Sequence, residues 1–287
     1  GSEMCIRDRF LEYLESGERD PEEITFMEPQ AGGACRAGNI YNLLQRVLYR
    51  MVEQGQQEYA RIPVISLNLM GEEKHTGFRI TPSLLSGGIA AGCYGDLIMC
   101  LYQQVKPYEQ NPGETDRIRS QVEKKLCESI RRHRNGRHTR EKNYRYACEV
   151  FSKVPVKPGK KKRVGITGEI YMKCSKLGND DIESFLLRQG MEPYSGGFVN
   201  YCLYLVDTER YKAEKYQHNP IMVKACAFVL HRLCEAQKHL LTVIGETDRF
   251  QTDLPFPELK EKVQGILAEG CNTGDGWLIA AEVIQYV

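Results

Sequence analysis

The chain has 287 residues, of which 41% are hydrophobic and 27% are charged, as in an ordinary globular protein with one or two domains. Its net charge of +1 gives no overall attraction to nucleic acid, and no apolar run approaches the roughly 20 residues of a membrane helix. The eleven cysteines include no Cys-x-x-Cys pair, which excludes zinc-ribbon, ferredoxin and thioredoxin signatures. We therefore expect a cytoplasmic protein with reduced thiols, and neither a membrane nor nucleic acid as its partner.

The first elements along the chain indicate a βαβ unit. A helix ends at Glu15, and the apolar run Ile24–Met27 predicts a strand. Apolar residues then recur three and four positions apart from Ile40 to Val52, as on one face of a helix. The near-continuous apolar run Ile62–Leu69 predicts a strand buried in a parallel sheet. Strand, helix and strand in this order predict a right-handed crossover.

The glycine-rich segment Pro29–Asn39 joins the first strand to this helix and holds the best candidate site. Cys35 lies just before the helix, where backbone N–H groups and the positive helix end favour anions and lower the pKa of a thiol. From the residues alone, three interpretations stay open: the turn ligates a metal or cluster, cradles a phosphate, or only reverses the chain. The anion-binding candidates beside Cys35 are Gly32, Gly33, Arg36 and Asn39, and Asn39 also fits an N-cap.

The middle of the chain is predicted to be helical. A helix starts at Thr81-Pro82, and the segment 106–115 is rich in turn residues and indicates a linker. A strongly charged helical stretch covers Arg117–Val150, with basic clusters at 131–145 and 156–163. We interpret these clusters as solvated surface, because few aromatic residues are interleaved with the charges.

A second α/β unit is predicted from Val164 onwards. The run Val164–Ile170 indicates a strand that ends in a Gly-x-x-Gly-Glu turn, which is a weak nucleotide-binding signal. A helix at 179–190 and a strand at 191–198 follow, and further helices are predicted to the end of the chain. The ligand-binding candidates in the turn are Gly165, Gly168 and Glu169.

A further glycine-rich turn, Glu269–Trp277, enters the last predicted helix. Its backbone N–H groups suit an anion, and a tight turn without a ligand fits the residues equally well. The sequence shows no general acid–base pair, and we interpret His75, Glu169 and Glu282 as structural, so the catalytic residues stay unknown. The candidates in this turn are Asn272, Thr273, Gly274 and Gly276.

Together these elements predict an α/β fold with two Rossmann-like parallel-sheet lobes joined by a charged helical segment. Residues 10–110 would form a partial first lobe with the Cys35 turn, and residues 111–160 a helical connector. Residues 161–287 would form a second lobe, truncated at its C-terminus. Gly1–Arg9 resembles a translated sequencing adapter, so we expect an artefact or a tag there.

Seven stretches, taken in order, resemble one family. They are Pro29–Asn39, Ile62–Leu69, Arg79–Ser83, Tyr94–Asp96, Lys106–Glu109, Val164–Lys173 and Asn272–Glu282. This set resembles the activase-related proteins of the 2-hydroxyacyl-CoA dehydratase superfamily, in their C-terminal, dehydratase-subunit-like region. The resemblance covers nearly all of residues 10–287, and the order of the motifs is more specific than any single motif.

The resemblance implies Rossmann-like lobes with helical additions and an iron–sulfur cluster, such as 4Fe-4S, between the lobes, in an anaerobic bacterium. In relatives, an ATP-dependent activase delivers a low-potential electron, and dehydratase members eliminate water from a 2-hydroxyacyl-CoA. The implied activity is thus a lyase or an ATP-coupled reductase component. The alternatives are a non-catalytic electron-transfer or partner subunit, or a CoA- or nucleotide-binding α/β module without a redox role.

The resemblance also assigns one metal ligand. Cys35 matches a cysteine that the family carries in its glycine-rich turn, and is the expected cluster ligand. The other cysteine elements of the family would lie beyond both ends of the chain. Because a cluster takes about four thiolates, we expect this 287-residue fragment to hold no stable cluster and to be inactive by itself, whereas its parent protein holds one.

Overall fold

The structure is a computed structural model that describes residues 2–29, 39–67, 81–272 and 274–286. The chain divides into two compact units, one of Gly1–Arg79 with Cys174–Asp180 and one of Ile80–Lys173 with Asp181–Val287. This division differs from the sequence-based one, because residues 81–110 belong to the second unit.

The predicted fold of two Rossmann-like parallel-sheet lobes is wrong, because the protein is mostly helical. About two thirds of the described residues lie in helices. The described residues contain only two sheets, and each consists of two strands of four residues. A doubly wound lobe needs several parallel strands side by side. In the described part of the chain, most of the other buried apolar side chains lie on helices, and no third strand extends either sheet.

The first unit contains a parallel strand pair joined by a helix. Its elements are α1 (Ser2–Glu15), β1 (Phe26–Pro29), α2 (Ile40–Glu53) and β2 (Val64–Leu67), with short 3-10 helices at Pro21–Glu23 and Gln57–Arg61. Strand β1 pairs with β2 in parallel, Phe26 opposite Val64, which confirms the predicted strand–helix–strand order. Leu44 and Leu48 of α2 are buried in one core with Phe10 of α1. The stretch 2–9, assigned above to an artefact or tag, forms the first part of α1.

The second unit is a helical assembly that carries the other strand pair. Its helices are α3 (Pro82–Val105), α4 (Glu114–Arg131), α5 (Arg137–Ser152), α6 (Ile170–Cys174), α7 (Ile182–Arg188), α8 (Phe198–Lys215), α9 (Pro220–Gly245), α10 (Phe256–Val263) and α11 (Gly276–Tyr286), with a short 3-10 helix at Lys106–Tyr108. Strands β3 (Arg163–Ile166) and β4 (Glu192–Ser195) pair in parallel, Arg163 opposite Glu192. The helix at α7 and the strand at β4 follow the sequence prediction, with shorter bounds.

Helix α3 lies in the centre of this unit's core. Thr81 caps it, since its hydroxyl oxygen accepts the N–H of Leu84 at 3.1 Å. Leu97 and Leu101 are fully buried, and the helix packs against α4, α5, α8 and α9. Among the described residues, Pro82–Tyr108 is the one helical stretch that is long and apolar enough to cross a membrane by length and composition. This qualifies the sequence estimate of apolar run length, and 33% of the most apolar 18-residue window of this stretch is buried.

Candidate site at the glycine-rich turns

The turn that the sequence ranks first falls mostly outside the described residues. Asn39 is described and occupies the N-cap position of α2, but its side chain makes no capping hydrogen bond. The assignment of Cys35 as a ligand therefore stays a prediction. The sequence candidates that lie outside the described ranges are Gly32, Gly33, Cys35, Arg36 and Thr273. His75 also lies outside these ranges.

The other two glycine-rich turns, 165–169 and 272–276, meet in the second unit. The first turn follows strand β3, and the second leads into helix α11. Oδ2 of Asp275 accepts the backbone N–H of Ile170, the first residue of α6, at 2.7 Å. Burial raises the pKa of Asp275 to about 6, although this hydrogen bond acts in the opposite direction. The candidates of these two turns therefore share one site.

A buried ion pair joins the two helices that follow these turns. Nζ of Lys173 on α6 lies 2.6 Å from Oε1 of Glu282 on α11, and the side chains are only 3% and 2% exposed. The hydroxyl of Thr167 donates to the other carboxylate oxygen, Oε2, at 2.7 Å. Sequence reasoning did not single out Lys173. A signal was present, because Lys173 and Glu282 are the last residues of two of the motifs on which the family resemblance depends.

Two glycines of these turns are required by close packing. A Cβ on Gly165 would overlap the ring of Tyr286, and a Cβ on Gly276 would overlap the backbone carbonyl oxygen of Cys271. Gly276 also has a φ of +32°, which disfavours other residues. These two glycines let helix α11 and its preceding turn approach their neighbours, and this packing explains their presence without a ligand.

Other parts of the two turns face open space. Gly168 and Gly274 have φ values of +144° and +60°, and a Cβ on either would meet no heavy atom within 4 Å. Glu169 is exposed beside them. The amide nitrogen of Asn272 is buried and has no hydrogen-bond partner among the described residues. A ligand at this site would therefore contact Gly168, Glu169 and Gly274 before the buried ion pair.

A pair of glycines that sequence reasoning missed lines the same site. A Cβ on Gly196 would lie 2.6 Å from Oε1 of Glu282, and a Cβ on Gly197 would overlap a carboxylate oxygen of Asp96. Only glycine admits both carboxylates this close to the backbone. The signal in the sequence was the Gly-Gly pair just before an amphipathic helix, which resembles the other glycine-rich turns.

Asp96 of α3 caps helix α8. Its two carboxylate oxygens accept the N–H groups of Phe198 and Val199, the first residues of α8, at 2.7 and 2.9 Å. A carboxylate at this end of a helix also interacts favourably with the helix dipole. Burial nevertheless raises the pKa of Asp96 to about 7, against the lowering effect of the two hydrogen bonds.

Asp253 adds a half-buried carboxyl group near Asp96. It accepts hydrogen bonds from the hydroxyl of Tyr194 and, at 3.3 Å, from the amide of Gln285. The guanidinium of Arg163 stacks over the Tyr194 ring at 3.7 Å. Burial raises the pKa of Asp253 to about 6, while the charge of Arg163 lowers it. Three carboxyl groups near the site, those of Asp96, Asp253 and Asp275, thus have raised pKa values.

We expect the raised pKa of Asp96 to make the protein less stable as the pH rises from about 4 to about 7. In this window the unfolded chain has already lost the proton that folded Asp96 keeps, so the folded state binds more protons. Asp96→Asn should remove this contribution to the pH dependence of the unfolding free energy, and its amide oxygen can still accept a hydrogen bond from the backbone of α8. Urea unfolding at pH 4.5, 6 and 8 measures this pH dependence, with the exposed Asp248→Asn as the control. Equal slopes for the wild type and Asp96→Asn would contradict the assignment.

The described residues do not form a site for an iron–sulfur cluster. Within ranges 2–29, 39–67, 81–272 and 274–286, no three His, Cys, Asp or Glu side chains are placed to hold a metal ion. Cys174, after the turn 165–169, and Cys271, directly before the turn 272–276, are both exposed. Burial raises the pKa of Cys93 to about 11, as expected for a packing thiol. A cluster needs about four thiolates, so its ligands would have to include residues outside these ranges.

The family resemblance depends on the order of the seven motifs, and two of those motifs are in contact at this site. This contact does not identify a ligand. Comparisons with family models, with curated proteins and with solved structures gave no match for this chain.

Proposed function

We propose that the chain is part of a cytoplasmic iron–sulfur protein that resembles 2-hydroxyacyl-CoA dehydratase subunits and receives low-potential electrons from an ATP-dependent activase. When bound, a cluster would supply one-electron chemistry toward an acyl-CoA substrate. One observation carries the proposal beyond the order of the motifs. Lys173 and Glu282, which end two of those motifs and lie 109 positions apart, form a single buried ion pair.

The ion pair suits a positioning role. Removing two charges from water costs free energy that their attraction only offsets, so such a pair contributes more to fixing a geometry than to stability. Here it holds the turn 165–169 against the turn 272–276, and Asp275 adds a hydrogen bond to the start of α6. The residues left open by this arrangement, Gly168, Glu169 and Gly274, are those that would face an acyl-CoA or a partner protein.

The proposal predicts that Cys35→Ser in the full-length protein lowers the cluster content. The protein is purified anaerobically, and iron and acid-labile sulfide are measured per chain. We expect a loss of at least about half of both, because a cluster that loses one of about four thiolates is poorly held. Cys127→Ser is the matched control, since Cys127 lies exposed on α4. Unchanged iron in Cys35→Ser would overturn the ligand assignment.

A second measurement separates an enzyme from an electron-transfer or partner subunit. The full-length protein is mixed with its activase, ATP and a set of 2-hydroxyacyl-CoA compounds under anaerobic conditions. Water elimination that requires ATP supports the dehydratase proposal. Reduction of the cluster by the activase without any acyl-CoA turnover would replace it with the partner-subunit alternative.

A further inference from the structure

A basic groove lies on helix α4, away in sequence from the glycine-rich turns. It has a volume of about 740 Å³. Three of its six lining side chains are cationic, and none is acidic. The lining residues are Arg117, Ser120, Gln121, Lys124 and Lys125 of α4 and Tyr146 of α5. This surface is not part of the clusters at 131–145 and 156–163 that sequence reasoning assigned to solvated surface.

Two arginines outside the groove, one on α4 and one just after it, are neutralised by carboxylates one turn away. Arg119 pairs with Glu123 at 2.7 Å, and Arg132 pairs with Glu128 at 2.6 Å. Such i,i+4 pairs are what a solvated helix face normally shows. The groove departs from this pattern, because Glu128, the carboxylate four residues after Lys124, is bonded to Arg132 instead.

The two groove lysines are left without a bonded carboxylate. Among the described residues, Lys124 and Lys125 form no ion pair. Four positions before them stand Ser120 and Gln121, where a carboxylate would neutralise each lysine. Arg117 has only one distant carboxylate, at 3.9 Å. The result is three cations and a hydroxyl donor on one side of a helix.

Tyr146 positions one of these cations. Nζ of Lys125 lies 3.2 Å from the centroid of the Tyr146 ring, and the amide of Gln121 donates to the tyrosine hydroxyl at 3.0 Å. The nearby carboxylate of Glu149 is bonded to Lys153 at 2.6 Å. Because Lys125 covers a face of the ring, that face is closed to the base stacking that single-stranded nucleic acids use.

We propose that this groove binds a linear oligophosphate, such as the phosphate chain of a nucleoside triphosphate. Arg117 and Lys125 are eight residues apart, which is about 12 Å along a helix and suits two or three linked phosphate groups. The surrounding charge favours anions as well. Residues 114–163 contain seventeen Lys and Arg but only six Asp and Glu, whereas the whole chain is nearly neutral.

Calorimetric titration of the 287-residue chain with inorganic tripolyphosphate tests the site. Ser120→Glu places a carboxylate four residues before Lys124 and should weaken binding at least about fivefold. Ser120→Gln is the matched control, with the same size and no charge, and should bind within about twofold of the wild type. No binding by the wild type at about 1 mM tripolyphosphate, or equal binding by the two variants, would overturn the proposal.

A second pair of variants separates the groove from net charge. Lys124→Gln with Lys125→Gln should weaken tripolyphosphate binding about tenfold or more, whereas Lys160→Gln with Lys162→Gln, on an exposed segment, should change it within about twofold. Equal losses would show attraction by net charge alone. A 20-nucleotide single strand that binds more tightly than tripolyphosphate, and is weakened by the Lys124/Lys125 variant, would replace the oligophosphate with nucleic acid. Unchanged unfolding midpoints show that each variant is folded.

Discussion

Replacing Lys173 with Met should lower the free energy of unfolding by about 3–5 kcal/mol. The substitution leaves Glu282, whose side chain is 2% exposed, without its ionic partner, and an unpaired buried charge is strongly destabilising. Urea unfolding at pH 7 measures the loss. The control is Lys153→Met, which breaks the exposed pair with Glu149 and should cost less than about 1 kcal/mol.

The double variant Lys173→Met with Glu282→Gln distinguishes the pair from general packing. Gln keeps the shape of Glu282 and still accepts a hydrogen bond from Thr167, so both charges are removed together. We expect the double variant to recover most of the stability lost by Lys173→Met, because the desolvation cost of the remaining charge disappears. Additive losses would mean that the two side chains do not act as a buried pair.

Gly276→Ala should cost about 3 kcal/mol of unfolding free energy. The new Cβ would overlap the carbonyl oxygen of Cys271, which is a backbone atom and moves less readily than a side chain, and the φ of +32° adds strain. The measurement is again urea unfolding. Helix α11, which starts at this glycine, should lose its contact with the turn.

Gly274→Ala is the matched control in the same turn. Its φ of +60° is strained for alanine, but a Cβ there meets no heavy atom within 4 Å. We therefore expect Gly274→Ala to lower the unfolding free energy only by the cost of the left-handed backbone conformation, about 1–2 kcal/mol. A Gly276→Ala variant no less stable than Gly274→Ala would show that the packing around Cys271 is looser than described.

Local periodicity predicted the helices well. The 3–4 spacing from Ile40 to Val52 became α2, and Thr81-Pro82 marked the start of α3. The error lay in the sheets. A short apolar run next to a helix predicts a parallel pair, but it does not tell how many strands join that pair, since strand neighbours come from distant parts of the chain. The first two residues of the apolar run Ile62–Leu69 also lie outside the strand, which begins at Val64.

The site was predicted in part. Glycine-rich turns at 165–169 and 272–276 were found from their sequence, because glycine next to a helix start is a local signal. The residues that these turns contact were not predicted from the sequence. Lysine is normally exposed, so nothing local marks Lys173 as buried, and the contact of Gly196 with Glu282 depends on distant segments meeting. Sequence order suggested which motifs belong together, and only the fold showed where they meet.

The separation of Lys173 and Glu282 along the chain has a consequence for how the molecule folds. Closing a loop of 109 residues costs conformational entropy, whereas a helix forms from residues close in sequence and needs no such loop closure. The helix pairs that are close in sequence, α3 with α4, α8 with α9 and α10 with α11, should therefore form before the two turns close on each other. The site, like the contact between α3 and α9, would then assemble late, so a lost contact there hastens unfolding more than it slows folding.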